Sequence, residues 1–325
     1  MCKIENQNNI AELKKILFQE LSKLITEDYA LLEVPDYDNI GDNLIWQGEL
    51  DFLEDINYQK KYECSYLFFD KKKIENCNTL LFQGGGNFGD IYQTVQNFRL
   101  KIFRDNKHKN IIIFPQTVYY QNIDNAKKDA EIINKCENIT ICVRDKRSYD
   151  FVKEYFFNAK VLLLPDMAFY IKNIKTVERK IGKNLIMKRN DKEAYGNEIK
   201  MDEFEPYDIL DWPTFNMAKN ERYKKLKQDR ILDKIAVLML KIPFLCNLVD
   251  SRYGIKSRIR RENYIKEGIA FFNNYDRICT TRLHGLILGI LMNKHTSVLD
   301  NSYGKISAFY KQWLLHFEKI EIRDN

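Results

Sequence analysis

The sequence predicts an α/β protein of two Rossmann-like domains facing each other across a cleft. Three observations carry that expectation. Short, almost uninterrupted apolar runs recur along the chain, which is how strands of a parallel sheet covered on both faces read. Between them lie stretches in which charged and apolar residues alternate at helical spacing, as in successive βαβ units. The 325 residues are enough for two domains, and 45% hydrophobic with 30% charged residues is the balance of a folded globular chain.

Taken in order, the first half reads as a helix over 10–26, the strand "YALLEV" (29–34), a helix over 43–54 and the strand "TLLFQ" (79–83). A helix over 90–105, "NIIIFPQ" (110–116), a helix over 124–135, "NITICVRD" (138–145), a helix over 146–156 and "VLLLP" (161–165) follow. The polar stretch 171–183 reads as the linker, so the domains are expected at 1–175 and 176–325. The second half offers "NLIMKR" (184–189), a basic-apolar helical insert at about 216–262, "YDRICTTR" (275–282), a helix opening near Leu283, "HTSVLD" (295–300) and a last helix from about Tyr303. Two such halves bind their ligand where the carboxyl ends of the sheets meet.

Composition narrows the function classes. Seven scattered cysteines without a C-x-x-C pair argue against a disulfide framework and a zinc ribbon, and fit a reducing cytoplasm. No His/Cys/Asp cluster has metal-ligand spacing, so no metal is expected. The start has no signal-peptide core, and no stretch approaches the roughly 18 apolar residues of a spanning helix. The net charge of +6 is concentrated in one apolar-rich segment without a recognition motif, which speaks against nucleic acid.

The chemistry-bearing motifs sit at strand ends. In "FQGGGNFGD" (82–90), Gly84, Gly86 and Gly89 satisfy G-x-G-x-x-G, but the next strand ends in Pro115 and Gln116 where a dinucleotide site needs an acid, and Asp90 stands where a pyrophosphate would lie. "YDNIGDN" (37–43) echoes "GGNFGD" (85–90). Asp42 and Asp90 either cap a first helical turn or, with Asn43, Gly84, Gly85, Gly86 and Asn87, form polar loops at the cleft for substrate hydroxyls. An anion must then be gripped by side chains: Arg144 in "CVRDKRS" and Arg282 in "CTTRLHG" both follow apolar strands. His284 beside Arg282 suits proton transfer, and Lys305 adds a third cation at the start of the final helix.

The segments "NIGDNLIWQGELDFL", "LLFQGGGNFGD", "IIIFPQT", "VRDKRS", "LLPDMAF", "TTRLHG" and "DNSYGKI" together resemble the polysaccharide pyruvyltransferase family, in family order over most of the chain. The resemblance implies a glycosyltransferase-B-like architecture and transfer of the pyruvyl group of phosphoenolpyruvate onto a sugar of a cell-surface glycan as a cyclic ketal. It implies Arg144, Arg282 and Lys305 as ligands of the donor anion, His284 as acid/base with Arg282, and no cofactor beyond the donor. The acceptor is a polymeric or lipid-linked glycan. Residues 223–261 wrap basic side chains around "IAVLMLKIPFLCNLV" and read either as a core helix or as a contact with an anionic membrane surface, which fits a cytoplasmic protein peripheral on the inner membrane face. The rival enzyme class is a nucleotide-sugar glycosyltransferase, whose paired glutamates Glu262 and Glu267 fail to match in spacing. A non-catalytic glycan-binding protein is the rival outside enzymes.

Overall fold

The computed structural model describes residues 2–174, 181–189, 204–216, 219–239, 242, 244–299 and 305–323. Its first sheet holds β1 (Tyr29–Leu32), β2 (Lys60–Cys64), β3 (Thr79–Phe82), β4 (Gly85–Gly89), β5 (Asn110–Tyr119), β6 (Asn138–Val143) and β7 (Lys160–Leu163). The strands run in the order β2-β1-β3-β5-β6-β7, with β4 also on β5, and every pair is parallel. All four residues of β1 and of β3 are buried, because helices cover both faces. Those helices are α1 (Cys2–Leu21), α2 (Ile40–Leu53), α3 (Gln93–Asp105), α4 (Ile123–Ile133) and α5 (Lys146–Tyr155).

The second sheet holds β8 (Asn184–Met187), β9 (Tyr207–Leu210), β10 (Arg277–Thr280), β11 (His295–Leu299) and β12 (Ile320–Arg323), in the order β9-β8-β10-β11-β12 and again parallel. Its helices are α6 (Pro213–Asn216), α7 (Lys219–Met239), α8 (Cys246–Phe272), α9 (Leu283–Leu291) and α10 (Lys305–Trp313). Both sheets share one winding: the second strand lies outside the first, and the chain then crosses to the other side of the first strand. The order reverses between β1 and β3 and between β8 and β10, and such reversal points are where open α/β sheets leave room for a ligand.

The sheets are joined by a common core rather than a bare linker. Ile40 and Leu44 of α2 and Phe169 beyond β7 pack in one cluster with Leu286, Ile287 and Leu288 of α9 and with Phe309 of α10. The ring centres of Phe169 and Phe309 lie 6.3 Å apart with the rings nearly parallel, at 2°. Helix α1 extends this: Leu17 and Leu21 belong to the core of the first sheet, while Asn6 exchanges hydrogen bonds with the Glu318 backbone, at 3.2 and 3.0 Å. The boundary expected near 175 falls beside residues 175–180, outside the described residues.

Three expectations need correction. The glycine run does not turn from a strand into a helix: residues 85–89 form β4, paired to β5 through Gly85–Gln116, Phe88–Val118 and Gly89–Tyr119, and α3 begins only at Gln93. Glycine is needed at Gly89 because its φ is +129° and a Cβ there would sit 1.8 Å from the Tyr119 carbonyl oxygen. The insert expected to close at about 262 continues as α8 to Phe272, where Tyr264 and Phe272 enter the core. Edge strands β2, β9 and β12 were not expected, since half-exposed runs such as "KKYEC" lack the continuous apolar signature.

Candidate functional site

A cavity of about 400 Å³ lies at the carboxyl ends of both sheets, and almost every strand end nearby contributes to it. The segment after β1 supplies Tyr37, Asp38, Asn39 and Asp42; β2 is followed by Tyr66; β4 carries Gly86 and Asn87. Arg144 follows β6, Arg189 follows β8, Trp212 and Phe215 follow β9, and Arg282, Leu283 and His284 follow β10. The cavity thus sits at both reversal points at once. Arg144, Arg282 and His284, expected together from sequence, line one pocket.

The two arginines are buried and held by carboxylates. Arg144 donates through Nε to Thr117 Oγ1 at 2.9 Å and through Nη1 to Asp166 Oδ2 at 2.5 Å. Arg282 opens α9, its N–H donating to Thr280 Oγ1 at 3.0 Å. Its Nε and Nη2 form a fork on both oxygens of Asp211, the second at 2.7 Å, and its guanidinium lies 5.1 Å from the Phe215 ring centre. Fork and ring together fix the plane of the cation, which a lysine cannot reproduce.

Asp166 connects the two sheets electrostatically. It is fully buried, takes the Ala168 N–H on Oδ1 at 2.9 Å, and presents Oδ2 to Arg144 and, at 3.5 Å, to His284 Nε2. Burial disfavours its ionised form, but His284, Arg144 and the Ala168 N–H outweigh burial and hold the carboxyl well below the usual carboxylate range. At that separation the two side chains are in contact, and Nε2, a buried atom, has no hydrogen-bond partner among the described residues. On the other side of the ring, a Cβ on Gly41 would lie 2.7 Å from His284 Nδ1 and 2.9 Å from its Cβ and Cγ. The imidazole is therefore clamped between the first turn of α2 and Asp166.

The first turn of α2 is built by its own polar residues. Asn39 caps it, accepting from the Gly41 N–H at 3.0 Å. Asp42 is not the cap: it accepts from Tyr37 Oη at 2.9 Å and Asn39 Nδ2 at 2.8 Å and lines the cavity. Asn43 lies behind the wall, 1% exposed, and donates to the backbone carbonyls of Tyr37 and Asn39. It shapes the loop from within.

Of the glycine segment, Gly86 and Asn87 line the cavity. Gly84 donates its N–H to Glu49 at 2.7 Å, and Gly85 adopts φ +122° beneath Asp42. Asp90 is a correction: it is not part of the cavity wall but accepts from the Gln121 and Asn122 N–H groups at 2.8 and 2.9 Å and from Asn125 Nδ2 at 3.0 Å, tying down the loop ahead of α4. Lys305 begins α10, but its side chain and residues 300–304 lie outside the described residues.

Asn87 is anchored from below by Arg99, whose Nη2 donates to Asn87 Oδ1 at 3.3 Å and whose Nε donates to Glu33 at 3.0 Å. Arg99 and Glu33 are both buried at the end of β1, where burial outweighs Arg99 and pushes the Glu33 carboxyl up to about 7. Arg99→Met is expected to cost about 1–3 kcal/mol near pH 6, where Glu33 can take a proton. The gap to wild type widens only above about pH 7, where wild-type Glu33 has released its proton and the variant must keep it at about 1.4 kcal/mol per unit. Denaturant unfolding at pH 6 and pH 8 checks both statements.

Sequence reasoning missed Asp166, Asp211, Arg189 and Gly41. Arg189 carried a usable signal, because it ends "NLIMKR" as Arg144 and Arg282 end their strands. Asp211 follows an edge strand that reads poorly. The carboxylates have no local signature as partners, lying 22 and 71 residues from the arginines they hold.

Comparison with known proteins supplies the family. The family model described as polysaccharide pyruvyl transferase matches residues 39–303. A Bacillus subtilis (strain 168) protein named "Putative pyruvyl transferase EpsO" is 33% identical over 296 residues, covering 90% of this chain and 86% of its own. Pyruvyl transferase 1 of Schizosaccharomyces pombe is 29% identical over 299 residues, covering 88% of this chain and 69% of its own. In fold, the chain is similar to a functionally uncharacterized protein of Klebsiella pneumoniae of known crystal structure, with a TM-score of 0.59 and 18% identity, covering 96% of this chain and 98% of that one. Sequence motifs, paired parallel sheets and these similarities converge: the chain belongs to the polysaccharide pyruvyl transferase family.

Proposed function

We propose that this protein transfers the pyruvyl group of phosphoenolpyruvate onto a sugar of a cell-surface polysaccharide or its lipid-linked precursor, closing a cyclic ketal and releasing phosphate. The observation that carries the reading is the convergence of Arg144, Arg282 and His284 on one cavity, with Arg189 beside them. Phosphoenolpyruvate is compact and carries a carboxylate and a phosphate, so it needs several fixed cations around one small volume. Lys305, at the start of α10, is assigned to the same donor site. The two sheets are read as two Rossmann-like domains of the glycosyltransferase-B type, meeting near residue 175, in a cytoplasmic enzyme that uses no cofactor beyond its donor.

The chemistry follows from the residues. His284 delivers a proton to C3 of the donor, so that the methylene becomes a methyl group and C2 becomes electrophilic. A sugar hydroxyl adds to C2 and gives its proton back to the imidazole, phosphate leaves with the C2–O bond electrons, and a second hydroxyl closes the ring, its proton passing to the departing phosphate. Arg144 and Arg282, already fixed by Asp166 and Asp211, stabilise the carboxylate and the departing phosphate without reorganising. Tyr37, Asn39, Asp42 and Asn87 offer hydrogen-bonding groups for the acceptor hydroxyls, and the rings of Tyr66 and Tyr92 give it apolar faces.

Phosphate release from phosphoenolpyruvate, measured with lipid-linked mono- and disaccharides and with nucleotide sugars as control donors, tests the assignment. Nucleoside diphosphate release from a nucleotide sugar, with phosphoenolpyruvate inert, overturns it. Gly41→Ala should lower turnover about tenfold or more, since small displacements of a reacting group are costly, while stability falls by only about 1–3 kcal/mol from overpacking. Steady-state kinetics beside thermal melts separates the two effects.

A further inference from the structure

The hairpin of α7 and α8 carries features that the cavity does not use. Seventeen large apolar side chains are strongly exposed among the described residues, and seven of them, Ile231, Leu232, Ile235, Leu238, Ile242, Phe244 and Ile259, fall on this one excursion. Ile231, Ile235 and Leu238 follow one another at helical spacing along one face of α7. The run continues into the turn between the helices, where Phe244 is 81% exposed. A face of this kind, ending in a bare aromatic ring, is not the surface of a solvated helix.

Charge identifies what covers it. Residues 223–261 contain eleven Lys/Arg against three Asp and no Glu, a net of +8, whereas the whole chain carries +6, so everything outside the hairpin is slightly acidic. Lys224 and Lys234 are exposed on the same helix as the apolar strip. Apolar side chains flanked by lysine and arginine suit a surface with anionic headgroups above a hydrocarbon layer. A nucleic acid would match the charge and leave Leu238 and Phe244 in water. No helix among the described residues is long and apolar enough to cross a bilayer, so the contact we infer is one of lying on the surface.

We infer that the α7–α8 hairpin docks this protein on an anionic lipid surface, inserting Leu238, Ile242 and Phe244 among the headgroups. Two arginines near the end of the insert tie the hairpin to the cavity wall. Arg260 of α8 donates to Asp36 at 2.8 Å, directly ahead of the cavity residues Tyr37 and Asp38, and lies 4.0 Å from Asp233 of α7. Arg261 donates to Gln47 of α2 at 3.0 Å and its guanidinium lies 4.7 Å from the Trp46 ring centre. The docked surface therefore has a set position relative to the cavity rim, suited to an acceptor that is itself anchored in lipid.

The experiment is co-sedimentation of the full-length protein with vesicles of phosphatidylcholine containing phosphatidylglycerol, against vesicles of phosphatidylcholine alone. The wild-type chain is expected to sediment with the anionic vesicles and to be released by salt. Leu238→Asp with Phe244→Asp, and separately Lys224→Glu with Lys234→Glu, should each weaken partitioning about tenfold or more, with unchanged circular dichroism and melting temperature. Wild-type protein that ignores anionic vesicles, or variants that bind as well as wild type, overturn the inference. So does a lipid-free dimer that Leu238→Asp makes monomeric in a protein with no vesicle affinity, because the strip then serves self-association. None of these readouts involves turnover, so this inference and the pyruvyl-transfer reading stand or fall separately.

Discussion

His284→Gln is expected to reduce phosphate release from phosphoenolpyruvate by about 10²–10⁴-fold, the usual contribution of a positioned acid/base, with the fold intact. The glutamine keeps a polar group between Gly41 and Asp166 but has no proton to give at neutral pH. Because the arginines and their carboxylates are untouched, donor binding should change little and the loss should fall on kcat rather than KM. Kinetics with varied donor, together with direct donor binding to the variant, provide the check. Near-normal turnover would remove His284 from the reaction while leaving the anion site in place.

Asp166→Asn should be the most destabilising single change at the site. The amide cannot neutralise Arg144, and an arginine cannot shed its proton, so a buried guanidinium is left without its counter-charge at a cost of about 3–5 kcal/mol. This differs from Arg99→Met, where the orphaned partner is an acid that can neutralise itself. The pH dependence has a definite sign. The Asp166 carboxyl is held below its ordinary range in the folded chain, so its contribution is fully present above the unfolded value of about 3.9 and is lost only as pH falls through the folded one. The gap in stability between wild type and variant should therefore be present at pH 5 and narrow in strong acid. Urea unfolding across that range measures it. Turnover should fall as well, because the imidazole loses one of its two clamps.

The physical distinction between these variants shows what kind of information each level of the protein holds. Arg144, Arg282 and His284 were readable because a strand buried on both faces is a short apolar run, its end is abrupt, and the residue just past the end points to the rim where α/β sheets bind ligands. Arg189 obeys the same rule. The glycine segment was legible as a place of close backbone approach but not as a strand, since its pairing with β5 depends on residues about thirty positions away, Val118 opposite Phe88 and Tyr119 opposite Gly89. Asp90 and Asp42 share a motif and part company in space: one ties a loop on the first sheet, the other faces the cavity.

Local sequence by itself determined the alternation of strands and helices, the family, and which cations stand at strand ends, because these follow from short-range apolar patterning and from motifs a few residues long. Tertiary structure alone decided that Asp166 joins Arg144 to His284, that Asp211 holds Arg282, that Gly41 seats the imidazole, and that an apolar strip on α7 is left uncovered. Each of these is a meeting of groups far apart in the chain, and the packing of two sheets on a shared core, rather than any spacing in the sequence, sets which of them touch.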